Sequence, residues 1–174
     1  MARERRLYFC DAVYHISIRG NNKQNVLGTV EDKKIFLESL NKFKLRFGFK
    51  LYGLVLMDNH AHLVIRVVNN INISKIMQAI SLSFSFQFRR KYAYSGHVWQ
   101  GRFRSNFIDK DLYMLNCLEY IHNNPVRAGL VDNVKDYLWS SYHFYNNFRN
   151  PIQKYINLDL FTEESVRDTS LVTY

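Results

Sequence analysis

Two histidines one residue apart, His60 and His62, open an apolar run that continues Leu63-Val64-Ile65. Alternate side chains of a strand share a face, so both imidazoles point the same way, roughly 6.5–7 Å apart along the strand. A neutral imidazole offers a lone pair near pH 7, and such a pair could converge on one cation. Ala61, Leu63 and Ile65 then face the opposite way, toward a core. The competing reading is two exposed histidines on a strand. A second group is Tyr120 with Asn124, four residues apart and so on one face of a helix. A deprotonated tyrosine can act as a covalent nucleophile. An asparagine amide oxygen is a hard ligand suited to Mg²⁺ or Mn²⁺. The chain holds 12 tyrosines, so most of them must serve packing or surface. A third group runs from Trp99 to Asn106. Arg102 and Arg104, placed on one strand face, could contact phosphates, and Trp99 could stack on an unpaired base. The alternative there is a hairpin with exposed arginines and a core tryptophan.

The charge pattern bears on the same question. The chain has 174 residues and a net charge of +9. From Asn59 to Ile108 it carries no Asp or Glu, while Arg66, Lys75, Arg89, Arg90, Lys91, Arg102 and Arg104 fall in that stretch. An acid-free basic middle is the footprint of a polyanionic partner, though a solvated basic surface would look the same. Hydrophobic residues at 47% and charged residues at 22% describe a globular chain rather than a disordered one. No apolar run reaches the ~18 residues of a membrane span, and the charged N-terminus lacks the apolar core of a secretory signal. Cys10 and Cys117 form no CxxC pair, which argues against a disulfide framework or a cysteine zinc site. A cytoplasmic protein with reduced thiols is expected.

The elements that must position these groups can be read in order. Val13–Arg19 suggests a strand, followed by a turn at Gly20-Asn21-Asn22. Ile35, Phe36, Leu40, Phe43 and Phe47 recur at helical spacing across 31–47, with Gly48 as a stop. Strands are expected at 51–57 and 60–68 around an Asp58-Asn59 turn, forming a hairpin. A long helix over 73–92 ends in Arg89-Arg90-Lys91, where cations suit the helix dipole whether or not they meet DNA. Residues 97–108 read as strand or loop. A last helix begins near Asp109 or Asp111, with Leu112, Leu115, Leu118 and Ile121 on one stripe, and Pro125 marks its expected end. The order strand, helix, strand, strand, helix, strand, helix predicts an α+β fold: a ferredoxin-like antiparallel sheet with helices packed on it. One domain over 1–145 and a peripheral C-terminal tail over 146–174 are expected.

Three separated motifs together are far more specific than each alone. Met57-Asp58-Asn59-His60-Ala61-His62-Leu63-Val64 resembles the HUH motif, in which U is a hydrophobic residue. The string from Tyr120 to Val131 resembles the tyrosine-helix motif of the REP-associated tyrosine transposases, within the single-tyrosine HUH transposase superfamily. Trp99 to Ser105 and Arg19-Gly20-Asn21 fit that family's pattern and order, so the resemblance covers roughly residues 8–145. It implies a divalent cation, Mg²⁺ or Mn²⁺, held by His60, His62 and Asn124, and a Tyr120 nucleophile that forms a 5′-phosphotyrosine. It also implies a single-stranded or hairpin DNA partner, with Arg19, Asn21, Arg89, Arg90, Trp99, Arg102 and Arg104 as candidate contacts, in a monomer or homodimer. His122 is a weak candidate for the tyrosine's proton acceptor. The alternatives are a replication-initiator or relaxase-type HUH nickase, a hairpin-binding protein without cleavage, and a zinc hydrolase. The last lacks a visible third strong ligand.

Overall fold

The computed structural model describes residues 9, 11–68, 70–109, 111–146 and 150–157, with the side chains of 111 and 112 excepted. Cys10, the Leu112 side chain and residues 158–174 lie outside the described residues. The elements are β1 (Val13–Arg19), α1 (Val30–Phe47), β2 (Lys50–Leu56), β3 (His60–Arg66), α2 (Ile73–Tyr92), β4 (Arg104–Ile108), α3 (Asp111–Arg127) and the single-turn α4 (Tyr142–Tyr145). The four strands form one antiparallel sheet in the order β2-β3-β1-β4. With α1 and α2 as crossovers this is the expected ferredoxin-like α+β arrangement.

Local chemistry accounts for the element ends. Thr29 caps α1 by accepting from the Asp32 backbone N–H at 3.1 Å, while Asp32 accepts from the Thr29 N–H, a reciprocal capping box. Gly48 ends α1 at φ 70°, a left-handed conformation that suits glycine. The Asn72 side chain caps α2, accepting from the Ser74 N–H at 2.7 Å.

The sheet buries both faces unequally. The larger core holds Ile16, Ile18, Ala61, Leu63 and Ile65 from the sheet, with Phe36 and Leu40 of α1 and Ile76, Ile80 and Phe84 of α2. On the other face a smaller cluster joins Tyr52, Val55 and Val64 to Met114, Leu118 and Ile121 of α3. The α3 stripe is therefore Met114, Leu118, Ile121 and Pro125, with Leu115 only partly buried, so the helix is rotated from the expected stripe. Nor does α3 end at Pro125. A proline inside a helix forfeits a hydrogen bond to the residue four back, at about 3 kcal/mol. Here the ring is buried, and the turn continues through Ala128 N–H to Asn124 O (2.9 Å) until Gly129 stops it at φ 67°.

Part of the expected tail is packed. Ile152, Tyr155 and Ile156 belong to the larger core, and the Asn157 N–H donates to Leu51 O at 2.8 Å. Trp139 O and Ser141 N–H pair with Leu56 and Leu54, so these segments cover the outer edge of β2. Among the described residues, no helix is long and apolar enough to cross a membrane.

Candidate metal and nucleophile site

The site lies on the sheet face that α3 covers. The register sets Ser17 opposite His62 and Arg19 opposite His60 on β1, and Ser17 opposite Arg104 on β4. Directly opposed residues in an antiparallel pair share a face. His60, His62, His15, Arg19 and Arg104 therefore stand on one face, and Ala61, Leu63 and Ile65 are buried on the other, as strand alternation requires. The turn between β2 and β3 is held by Asp58, whose carboxylate accepts from Lys33 Nζ at 2.7 Å and whose carbonyl accepts from the Leu27 N–H at 2.8 Å.

The structure brings Tyr120 to the histidines. Its ring centroid lies 6.2 Å from that of His62 and 6.0 Å from that of His15, edge-on to each. His60 and His62 are neighbours, with centroids 5.1 Å apart. Tyr120 is 44% exposed, so its phenol is open to a ligand. The Arg127 guanidinium sits 5.1 Å from the Tyr120 ring centroid. What allows this approach is Gly53 in β2: a Cβ there would stand 2.6 Å from Leu118 Cδ2 and 2.9 Å from Ile121 Cδ1. Leu118 and Ile121, two residues before and one after Tyr120, thus rest directly on a bare strand backbone.

The three imidazoles are kept neutral. Burial pushes the His62 pKa down to about 3, reinforced by His60, His15 and Arg19. Burial lowers His60, with Arg19 adding to it, and burial lowers His15. A metal ligand must be deprotonated, and these rings meet that condition at neutral pH. The Nδ1 sides of His60 and His62 are already occupied. His60 Nδ1 donates to Asn59 Oδ1 at 2.5 Å, and His62 Nδ1 lies 3.0 Å from His15 Nε2.

Asn124 is half-buried one turn beyond Tyr120, and its Nδ2 is buried without a hydrogen-bond partner. Buried amide groups are nearly always partnered. A half-turn of the side chain exchanges this end for Oδ1, so the orphaned amide fits a ligand awaiting a cation. Two neutral imidazoles and one amide oxygen form a donor set compatible with a divalent ion. Among the described residues, no cluster of three or more His, Cys, Asp or Glu is arranged to hold a metal, so a third donor must come from outside those types.

Other expected site residues fall elsewhere. Trp99 is 8% exposed, packed against Phe84 (5.1 Å) and Phe36 (6.1 Å), and its Nε1–H donates to Ser81 O at 3.3 Å. It belongs to the opposite core, and no ring face is free to stack on a base. Its backbone still serves the site: Trp99 bridges Gly20, Asn21 N–H donates to Val98 O at 2.9 Å, and Gln100 N–H donates to Arg19 O at 2.8 Å. Arg102 and Arg104 are both exposed, but Arg102 lies in the bend before β4 and only Arg104 is in the strand. Arg89 and Arg90 are exposed at the end of α2, where Arg89 donates to Gly96 O at 2.8 Å. The adjoining Lys91 is paired with the buried Asp32 at 2.8 Å. His122 is buried and bonded to Ser141 Oγ at 2.8 Å, so it is a packing residue. Sequence reasoning passed over His15, Asn59 and Arg127. Strand alternation from His15 through Ser17 to Arg19 was the available signal for the first.

A four-stranded antiparallel sheet whose HxH strand meets a tyrosine on a helix defines a class. The family model described as "Transposase IS200 like" matches residues 9–124, and the chain belongs to that family. A Haemophilus influenzae protein, named among the REP-associated tyrosine transposases, is 32% identical over 108 residues. That match takes in 56% of this chain and 61% of the relative's length. The fold is shared with a REP-associated tyrosine transposase solved bound to a REP hairpin, at TM-score 0.71 and 22% identity, over 82% of this chain and 84% of that one. It is shared more distantly with a Deinococcus radiodurans protein described as a transposase, at TM-score 0.50 and 16% identity, over 70% and 97% of the two chains.

Proposed function

We propose that the chain is a metal-dependent endonuclease and strand transferase that cuts single-stranded DNA beside a hairpin and holds the cut end as a 5′-phosphotyrosine on Tyr120. The observation that carries this reading is the convergence of Tyr120 with His62, 6.2 Å between ring centroids, from elements far apart in sequence. Binding alone would need neither the exposed phenol nor neutral imidazoles beside it.

His60, His62 and Asn124 would hold the cation, Mg²⁺ or Mn²⁺, which supplies Lewis-acid polarisation and charge neutralisation at a phosphate. Arg19 and Arg104 flank the histidines on the same face and would anchor the strand through its phosphates. Tyr120 Oη attacks phosphorus in line. The Oη–P bond forms, the bond from phosphorus to the 3′-oxygen breaks, the phenol gives up its proton and the leaving 3′-oxygen takes one. A second 3′-hydroxyl reverses the step and joins strands without outside energy. Arg127 beside the Tyr120 ring favours negative charge developing on the phenol side.

Likeness to a structure holding a REP hairpin supports a hairpin substrate. A phosphate must sit against both the imidazoles and Tyr120, which a flexible strand allows and a stiff duplex resists. The test offers one sequence as a single strand, as a stem-loop with a single-stranded flank, and as a perfect duplex. A metal-requiring covalent adduct on the first two and none on the duplex is expected. Equal cleavage of the duplex, or binding with no adduct on any form, contradicts the proposal.

A further inference from the structure

We infer that His15 is a positioning residue that fixes the tautomer and ring orientation of His62, leaving His62 Nε2 as the nitrogen that binds a cation. The inference rests on the proposed metal face and adds a residue to it.

His15 occupies the middle of β1, paired through its backbone neighbours with Val64 of β3 and Asn106 of β4. A central strand held on both sides gives its side chain a fixed origin. Its Nε2 lies 3.0 Å from His62 Nδ1, and the two rings are near-parallel at 19°, with centroids 5.2 Å apart. A neutral imidazole has one N–H and one lone pair. Between two neutral rings, one nitrogen must donate and the other accept. A 3.0 Å separation leaves no room for a proton on each of the two facing nitrogens.

Direction follows from what His62 must do. If Nε2 is to offer its lone pair to a cation, the proton sits on Nδ1 and is donated to His15 Nε2. His15 in turn carries its own proton on Nδ1. The neighbouring ligand follows the same logic. Asn59 Oδ1 can only accept, so His60 Nδ1 must be the donor and His60 Nε2 bears the lone pair. Both candidate ligands therefore have an acceptor on the Nδ1 side. Such partners orient ligating histidines, and their loss typically costs about 10–100-fold in metal affinity.

The experiment compares the full wild-type chain with His15→Phe, His15→Gln and His62→Ala, without DNA. Phe keeps a ring and lacks an acceptor; Gln keeps an amide oxygen that can accept. Mn²⁺ affinity is measured by titration under electron paramagnetic resonance, and metal-free melting confirms that each variant is folded. Long-range ¹⁵N–¹H NMR of the wild type reports which His62 nitrogen bears the proton. The expected result is a His62 Nδ1–H tautomer, Mn²⁺ affinity reduced about 10–100-fold in His15→Phe, and most of it restored in His15→Gln. Wild-type affinity in His15→Phe alongside lost affinity in His62→Ala overturns the role of His15 alone. So does a His62 Nε2–H tautomer, or a folded His15→Gln no better than Phe. Undetectable Mn²⁺ binding by the wild type, or unchanged binding in His62→Ala, removes the metal face itself and the inference with it.

Discussion

Replacing Gly53 by alanine should separate the sheet from α3 and so displace the proposed nucleophile. The added Cβ would stand 2.6 Å from Leu118 Cδ2, 2.9 Å from Ile121 Cδ1 and 3.1 Å from Val64 Cγ2. Relaxed carbon contacts lie near 3.5–4.0 Å, so the nearest atom must retreat by about 1 Å. Leu118 is 5% exposed and Ile121 fully buried, so the strain is shared between their packed side-chain ends and the position of α3. Overpacking of this kind costs about 1–3 kcal/mol, offset by the roughly 0.5–1 kcal/mol that alanine gains over glycine in a strand. The net loss is about 0–2.5 kcal/mol, or a melting temperature lower by about 0–10 °C for a domain of this size. Activity should fall further, because a 1 Å misplacement of a reacting group can cost about 100-fold. Melting by circular dichroism and the rate of covalent adduct formation on a stem-loop would be measured side by side. Leu118→Ala added to Gly53→Ala makes room for the new methyl and should return part of the adduct rate. A Gly53→Ala protein with both wild-type melting and wild-type adduct rate would refute the claim that the bare backbone sets the tyrosine's position.

Further outcomes follow from the same geometry. Removing divalent cations with chelator, or replacing His60 by alanine, should abolish adduct formation while hairpin binding persists in a gel-shift assay; full activity in excess chelator would remove the metal from the mechanism. Arg102→Ala with Arg104→Ala should weaken single-strand binding and flatten the slope of log affinity against log salt by about 1.4, read from titrations over a salt series. Burial pushes His122 down to about 4, against about 6.5 when unfolded, so the unfolded chain binds a proton that the fold rejects. Stability should be full above about pH 6.5 and decline as pH falls toward 4, by about 3 kcal/mol from this residue. His122→Gln should shallow that decline in metal-free melts, and His62, His60 and His15, which burial lowers in the same direction, add to what remains.

Legibility in the sequence tracks how local each feature is. The shared face of His60 and His62 follows from strand alternation alone, and the element order was enough to predict the ferredoxin-like sheet. Trp99 was ambiguous because its neighbours are basic while its ring enters the core; backbone pairing of 99–100 with 19–20 decides its direction, and that is a long-range fact. Pro125 read as a stop because local rules penalise it, yet its burial beside Ile121 compensates within the tertiary structure. Ile152, Tyr155 and Ile156 show too little periodicity to be recognised as core residues before β2 supplies their surface. His15 could be placed on a strand but not beside His62, since register between β1 and β3 is set only by folding.

Tyr120 is proposed as the residue that becomes joined to DNA. The direct test traps the adduct with a stem-loop carrying a single-stranded flank, digests it with protease and nuclease, and maps the modified peptide by mass spectrometry. The expected result is a nucleotide phosphate on Tyr120, within the α3 peptide, and none in Tyr120→Phe even though that variant still binds the hairpin. A phosphate on another side chain, or an adduct of undiminished yield in Tyr120→Phe, would contradict it.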